Sequence, residues 1–281
     1  MVEGVSKAKY LLCEDLGERR SKAEAILRSC ALCERRCNAD RKSGERGYCG
    51  VLESRISSEF VHFGEEPELV PSYTVFFAGC TFKCVFCQNW DISQRPDNGL
   101  YIPPETLAKM IEKTSGINVN WVGGDPTSNL AYILAVLFHL RRSIPQVWNS
   151  NMYLSVESMA LLDGIIDLYL TDFKYGNDKC GKKLSNAPDY WRITTRNHLL
   201  AHKQADVIIR HLILPGHVDC CTKPIIEWIG EHMPKARVNL MDQYRPEYKA
   251  KRIDGLMRGL TSEEYGNALE YAGILGLDLV G

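Results

Sequence analysis

From residue 74 onward, short apolar runs typical of β-strands alternate with longer segments whose apolar residues recur at helical spacing. This alternation predicts an α/β fold, a parallel sheet with helices packed outside it. Six units are too few for a closed eight-stranded barrel. We therefore predict an open (β/α)6 partial TIM-type barrel. Its predicted strands are Thr74–Ala78, Val119–Val122, Gln146–Trp148, Leu168–Thr171, Val207–Leu214 and Arg237–Met241.

The first predicted strand leads into a loop with three cysteines, Cys80, Cys84 and Cys87, at the spacing C-x3-C-x2-C. A short loop with this spacing can fold its thiolates around one iron–sulfur cluster, which normally takes four cysteines. Because the local set stops at three, one iron would keep an open position, as catalytic metal sites do. The alternative is a zinc site, but no fourth Cys or His lies between Phe77 and Trp90.

Polar residues and glycines follow the next predicted strands, where ligands bind in sheets of this kind. The second strand ends in Gly123-Gly124-Asp125-Pro126. Glycines let a backbone approach a ligand closely, and a carboxylate can accept from an ammonium group; the alternative is a plain turn. The other candidates are Asn149 after strand three, Asp172 and Lys174 after strand four, and Arg210 within strand five.

Each of these three further candidates has a simpler interpretation. Asn149 can belong to a turn, and Asp172 with Lys174 can form a surface ion pair of little energetic weight. Arg210 is a charged residue inside an apolar strand, so it needs a partner. Their position at strand ends therefore makes these residues candidates for ligand binding, but it does not assign their roles.

A second cysteine set precedes the barrel, in a segment rich in turn-forming and charged residues and poor in apolar ones. Such a segment needs a cross-link to become ordered, and four thiolates on one metal ion or cluster would supply it. Spacing alone leaves a second iron–sulfur cluster and zinc both open, and the alternative is a disordered arm. The four cysteines are Cys30, Cys33, Cys37 and Cys49.

The remaining thiols, Cys13, Cys180, Cys220 and Cys221, are predicted to be ordinary core or surface residues. Among the histidines, we single out His217 beside Cys220 as the pairing of interest. With eleven cysteines and no signal-peptide pattern at the N-terminus, we expect free thiols and metal ligands in a reducing cytoplasm.

The 281 residues suffice for one large α/β domain and a small appendage. We predict an N-terminal part, residues 1–73, with a helix within 1–29, the cysteine segment and an antiparallel hairpin within 51–73. The barrel follows at 74–250 and a C-terminal helical segment at 251–281, whose helix begins at the capping box Thr261 and Glu264. The net charge of −1 makes nucleic acid an unlikely partner, and no segment fits a membrane span.

Together these motifs resemble the radical S-adenosylmethionine superfamily, and within it a branch related to pyruvate formate-lyase activating enzyme. The resemblance implies that Cys80, Cys84 and Cys87 hold a [4Fe-4S] cluster whose fourth iron binds the methionyl amine and carboxylate of S-adenosylmethionine. It places Phe86 near the adenine. Gly123-Gly-Asp-Pro126 resembles the superfamily's Gly-Gly-Glu-Pro motif, which holds the amino group, with Asp125 in place of Glu.

The same resemblance implies cofactor contacts for Asp172 and Lys174 and places Arg210 near the cofactor carboxylate. It implies that flavodoxin or ferredoxin supplies one electron, that S-adenosylmethionine is cleaved to methionine and a 5′-deoxyadenosyl radical, and that this radical abstracts hydrogen from a substrate. By analogy the substrate is a glycine of a partner glycyl-radical enzyme. The alternatives are a non-catalytic iron–sulfur protein that transfers electrons or senses redox state, and a radical enzyme acting on a small molecule or RNA.

Overall fold

The computed structural model describes residues 7–280, and within them one eight-stranded sheet follows chain order from β1 to β8. Strand β1 pairs antiparallel with β2, and every later pair is parallel. The outer strands β1 and β8 do not pair with each other, so the barrel is open, which confirms the predicted fold class. The strands are β1 Ile56–His62, β2 Ser72–Phe77, β3 Asn118–Gly123, β4 Gln146–Ser150, β5 Leu168–Asp172, β6 Asp206–Leu212, β7 Arg237–Met241 and β8 Asp278–Leu279.

Helices fill the connections between the strands. The predicted apolar faces form α3, α4 and α8, and Thr261 caps α9 through the predicted box with Glu264. Two helices after β5, α6 and α7, were not predicted. The helices are α1 Leu16–Ile26, α2 Trp90–Ser93, α3 Pro104–Lys113, α4 Leu130–His139, α5 Val156–Leu162, α6 Asp178–Ser185, α7 Tyr190–Gln204, α8 Lys223–His232 and α9 Ser262–Ile274.

The hairpin predicted within residues 51–73 is confirmed by the pairing of β1 with β2. Residues 1–6 of the predicted N-terminal helical region and residue 281 of the predicted C-terminal segment lie outside the described residues. One hydrophobic cluster contains side chains from all three predicted parts, such as Leu27, Trp121 and Ala268. The division at 73 and 250 therefore remains a prediction.

The barrel interior contains a polar layer built around Arg210 of β6. Its guanidinium pairs with Glu66 at 2.7 and 2.5 Å and also with Glu65, both from the loop after β1. Asn120 of β3 donates to Glu65 at 2.9 Å, and Asn239 of β7 donates to Glu66 at 3.1 Å. The two glutamates thus connect strands on both halves of the open barrel, and they supply the partner that a buried arginine requires.

Candidate active site

The cysteine loop begins where β2 ends, and two neighbouring helices hold its backbone. Gly79 has a positive φ of 84°, a conformation that favours glycine, and its N–H donates to Ile92 O at 3.0 Å. The last turn of α6 accepts two further bonds, from Lys83 N to Ser185 O at 3.0 Å and from Val85 N to Leu184 O at 2.8 Å. The loop is therefore fixed on both sides without any ligand.

Each of the three loop thiols has a polar partner from a different segment. Asn151 Nδ2 lies 3.8 Å from Cys80 Sγ, and Ser185 Oγ donates to Cys84 Sγ at 2.8 Å. Ser93 Oγ lies 3.1 Å from Cys87 Sγ. Sequence reasoning did not nominate these partners. Asn151 carried a signal, because it belongs to the polar group after β4, whereas the two serines had none.

Burial raises the pKa of all three thiols, and that of Cys84 reaches about 11. At neutral pH these thiols would stay protonated unless metal ions stabilised their thiolate forms. The three sulfurs are not all within 4.8 Å of one another, which is the spacing that would suit one ion. A polynuclear cluster spreads its cysteine ligands over several metal ions, so the buried, separated thiols fit an iron–sulfur cluster.

Gly123 and Gly124 lie beside the cysteine loop, but the structure gives them neighbours within the chain. A Cβ on Gly123 would stand 2.1 Å from Phe77 N, and one on Gly124 would stand 2.0 Å from Gly79 O. Gly124 N donates to Phe77 O at 2.7 Å. These glycines therefore let the end of β3 pack against the end of β2, and a contact with a ligand remains a prediction.

Asp125 is buried and braces the end of β3 against the end of β4. Its Oδ1 accepts from Thr127 N at 2.9 Å, and its Oδ2 accepts from Asn151 N at 3.1 Å. Burial raises its pKa to about 6 in spite of these two bonds, so it is ionised at neutral pH. Since Asn151 contacts Cys80, the carboxylate also supports the cysteine loop, in addition to the predicted contact with an ammonium group.

The other candidates lie along the same end of the sheet. Lys174 Nζ and Asp172 Oδ2 pair at 2.7 Å, and the partly buried lysine keeps a raised pKa: desolvation alone would lower it, but the charge of Asp172 outweighs that effect. Asn149 is buried in β4. Arg210 stands beside Asp172 in the sheet register, but its guanidinium is engaged by two glutamates. Cofactor contacts by these residues remain predictions.

Phe86 lies in an aromatic cluster next to the last cysteine of the loop. Its ring meets Tyr175 at 6.4 Å and Tyr244 at 6.0 Å, both edge-on. Edge-to-face contacts of this kind fix ring orientation. The cluster fixes an aromatic side chain beside the last cysteine of the loop, and its contact with adenine remains a prediction.

The N-terminal cysteine set packs directly against this site. The backbone oxygen of Cys49 would lie 3.3 Å from a Cβ at Gly79, the residue before Cys80. Arg35 Nε donates to Thr81 O at 3.0 Å, and its guanidinium lies 3.8 Å from the ring centre of Tyr48. Cys33 and Cys49 are buried, and burial raises the pKa of both thiols. The two cysteine sets are therefore neighbours in the fold, and neither set has three sulfurs within 4.8 Å of one another.

An open α/β barrel with buried thiols at the end of its first parallel strand defines a class of iron–sulfur enzymes. The chain belongs to the radical SAM superfamily, whose family model matches residues 74–229. The family implies a [4Fe-4S] cluster, S-adenosylmethionine and its reductive cleavage, and the buried thiols fit that cluster. The protein is thus a radical SAM enzyme.

The chain is similar to three further proteins, one by sequence and two by fold. It is 52% identical over 266 residues to the uncharacterised protein MJ0674 of Methanocaldococcus jannaschii, covering 92% of this chain and 78% of that one. Methylornithine synthase PylB aligns with a TM-score of 0.52 at 14% identity, over 99% of this chain and 76% of the enzyme. SuiB of Streptococcus suis, bound to its precursor peptide SuiA, aligns at 0.51 and 12%, over 72% of this chain but 46% of SuiB. At these identities the two structures support the fold alone.

Proposed function

We propose that this enzyme cleaves S-adenosylmethionine at the Cys80, Cys84 and Cys87 loop and abstracts hydrogen from a glycine of a partner protein. The observation that supports the cleavage site is the loop itself, which has two buried thiols, one half-buried thiol and one polar partner for each. When bound, the cluster supplies the electron that cleaves the sulfonium into methionine and a 5′-deoxyadenosyl radical. The chain's own residues bind and orient the cofactor and exclude water from it.

The cofactor-binding residues that we propose line the carboxyl ends of β2 to β6. Phe86 offers an aromatic side chain for the adenine, and Asp125, ionised at neutral pH, is the acceptor for the ammonium group. The Asp172–Lys174 pair offers a cation for the carboxylate and an acceptor for ribose hydroxyls. Gly123 and Gly124 shape the backbone at this edge, Asn149 adds an amide, and Arg210, whose charge is balanced by Glu65 and Glu66, lies beside Asp172 in the sheet.

We propose that the N-terminal set, Cys30, Cys33, Cys37 and Cys49, holds a second cluster that relays electrons from flavodoxin or ferredoxin. Two observations favour a cluster over zinc. The set adjoins the loop through Cys49 and Arg35, and no three of its sulfurs lie within 4.8 Å of one another. The eleven cysteines are all free thiols, which supports a reducing cytoplasm as the location. Among the described residues, no helix is long and apolar enough to cross a membrane.

The proposed cleavage is tested with protein reconstituted anaerobically and reduced with dithionite. Wild type should convert S-adenosylmethionine to 5′-deoxyadenosine and methionine, and Cys84→Ala should not. Cys13→Ala is the matched control, because Cys13 lies outside the site and bonds only Asp15. If fully loaded wild-type protein forms no 5′-deoxyadenosine, the non-catalytic electron carrier is the better assignment.

The proposed protein substrate rests on the resemblance to pyruvate formate-lyase activating enzyme. The reduced enzyme, mixed with purified pyruvate formate-lyase and S-adenosylmethionine, should produce a glycyl-radical signal in electron paramagnetic resonance. Deuterium from glycine-labelled partner protein should appear in 5′-deoxyadenosine. Cleavage without either signal would retain the radical chemistry and reject this substrate, in favour of a different protein, a small molecule or RNA.

A further inference from the structure

A third group of potential ligands lies beside the carboxyl edge of the sheet, outside both predicted cysteine sets. Cys180 is in the first turn of α6, and His217 and Cys220 are in the connection from β6 to α8. One ligand atom from each of the three lies within 4.8 Å of the other two, and no other trio of Cys, His, Asp or Glu in residues 7–280 meets this spacing. Sequence analysis singled out His217 beside Cys220 but predicted ordinary roles for the thiols, and Cys180 is distant from both residues along the chain.

The sulfur separations match a single metal ion. Cys180 Sγ lies 4.0 Å from Cys220 Sγ, and Cys221 Sγ lies 3.9 Å from Cys220 Sγ. Two thiolates bound at about 2.3 Å to one tetrahedral zinc ion stand roughly 3.8 Å apart. The present spacing is therefore close to that of ligands on one ion, and it is too long for a disulfide.

One ring nitrogen of the group's histidine has an oxygen partner, which leaves the other nitrogen for a metal. His217 Nδ1 lies 2.9 Å from Pro215 O, and because a carbonyl oxygen only accepts, Nδ1 carries the hydrogen. Nε2 then has its lone pair free. Histidines that bind metals usually donate their other ring N–H to an oxygen in this way, so this bond is an observation independent of the sulfur spacing.

Backbone and side-chain contacts hold the ligand-bearing segments together without any metal. Asn177 bridges them: its Oδ1 accepts from Cys180 N at 2.8 Å, and its Nδ2 donates to Cys220 O at 2.6 Å. Cys220 lies in a π-helical turn, Val218–Thr222, an element that occurs frequently at functional sites. Glu264 of α9 accepts from Gly216 N at 2.6 Å and so fixes the residue before His217.

We propose that Cys180, His217 and Cys220 bind one zinc ion. Thiolates and imidazole select zinc among the common divalent cations, because calcium and magnesium prefer oxygen ligands. The half-exposed position of the group gives the ion access from solvent. This site does not depend on the proposed substrate or on the cleavage reaction.

The position of Cys180 gives the ion a positioning role. Helix α6 carries Cys180 in its first turn and Leu184 and Ser185 in its last turn, and the last turn holds the cysteine loop and Cys84. Zinc would tie the start of α6 to the β6–α8 connection. The helix would then hold the Ser185–Cys84 contact in place, so metal loss should disturb the cluster environment without removing a cluster ligand.

The test uses the full-length protein with its iron–sulfur sites reconstituted anaerobically in the presence of zinc, followed by metal analysis. Cys180→Ser, His217→Gln and Cys220→Ser should each lose about one equivalent of zinc relative to wild type while iron content stays the same. Cys13→Ser, a surface thiol far from the group, should retain it. Cobalt(II) in place of zinc should give thiolate charge-transfer and tetrahedral d–d bands that the three variants lack.

Two readouts keep the proposal open to refutation. Equal zinc in wild type and all three variants, or a Cys180–Cys220 disulfide in the anaerobic protein by mass spectrometry, would overturn it. If a cysteine variant also loses iron, the zinc content of His217→Gln decides whether the site exists, since that change leaves every thiol in place. The positioning role predicts a shifted electron paramagnetic resonance spectrum of the reduced cluster in His217→Gln; an unchanged spectrum would leave a metal site without that role.

Discussion

Replacing Ser185 by alanine tests whether Cys84 ligates a redox-active cluster. Ser185 Oγ donates to Cys84 Sγ at 2.8 Å, and Tyr175 in turn hydrogen-bonds Ser185, so the two hydroxyls form a chain that ends on the sulfur. A donor stabilises the reduced cluster more than the oxidised one, because the reduced cluster places more negative charge on its sulfurs. Removing the donor should therefore make the reduction potential more negative.

The size of the shift follows from the strength of the bond. A hydrogen bond to a charged group contributes about 1.5–3 kcal/mol, and only the part that differs between the two oxidation states changes the potential. If that part is about 1 kcal/mol, the potential falls by roughly 40 mV, since 59 mV corresponds to a tenfold change for one electron. Tyr175→Phe removes the outer member of the chain and should shift the potential in the same direction by less.

The assay is a potentiometric titration of the reconstituted protein, followed by electron paramagnetic resonance. Ser158→Ala is a matched control: Ser158 is also a buried serine, but its hydroxyl contacts Ser155 and none of the loop cysteines. We expect the order Ser185→Ala, Tyr175→Phe, control, from the largest shift to the smallest. A potential for Ser185→Ala equal to that of the control would show that Cys84 is not a ligand of the titrating cluster.

Three further outcomes follow from the geometry. Asp125→Ala leaves two buried backbone N–H groups without an acceptor and should destabilise the fold by roughly 1–3 kcal/mol; an unfolding midpoint equal to that of wild type would contradict the bracing role. Gly124→Ala places a Cβ 2.0 Å from a backbone oxygen and should destabilise the protein by roughly 3 kcal/mol or more, measured by chemical denaturation. Cys33→Ala combined with Cys37→Ala should lower iron from about eight to about four per chain if a second cubane is present. Unchanged iron would reject the proposal of a second cluster.

The strands could be predicted from the sequence because parallel strands are buried on both faces and produce continuous apolar runs. Both ends of the predicted strand Arg237–Met241 agree with β7, and the predicted strand Leu168–Thr171 is one residue shorter than β5. Helix α7 was missed because its buried face carries polar side chains. Asn197 donates to Met152 O and Leu154 O, both at 2.8 Å, so its burial leaves no apolar pattern in the sequence.

The candidate site was predictable in position but less so in role. Cys80, Cys84 and Cys87 were found because their spacing is local. Gly123 and Gly124 signalled close backbone approach, and a single sequence cannot say whether the approaching atoms belong to a ligand or to the chain itself. The contact of Ser185 with Cys84 could not be predicted, because the two residues are 101 positions apart in the chain.

The two glutamates inside the barrel set a limit on how this enzyme can be divided. The matched family domain begins at residue 74, yet Arg210 finds its carboxylates at Glu65 and Glu66, before that boundary. A fragment starting at residue 74 would lose both carboxylates that pair with this partly buried guanidinium. It would also lose β1, the strand that pairs with the outer edge of β2. We therefore expect that deletions or domain fusions must retain the chain from β1 onward to preserve the fold.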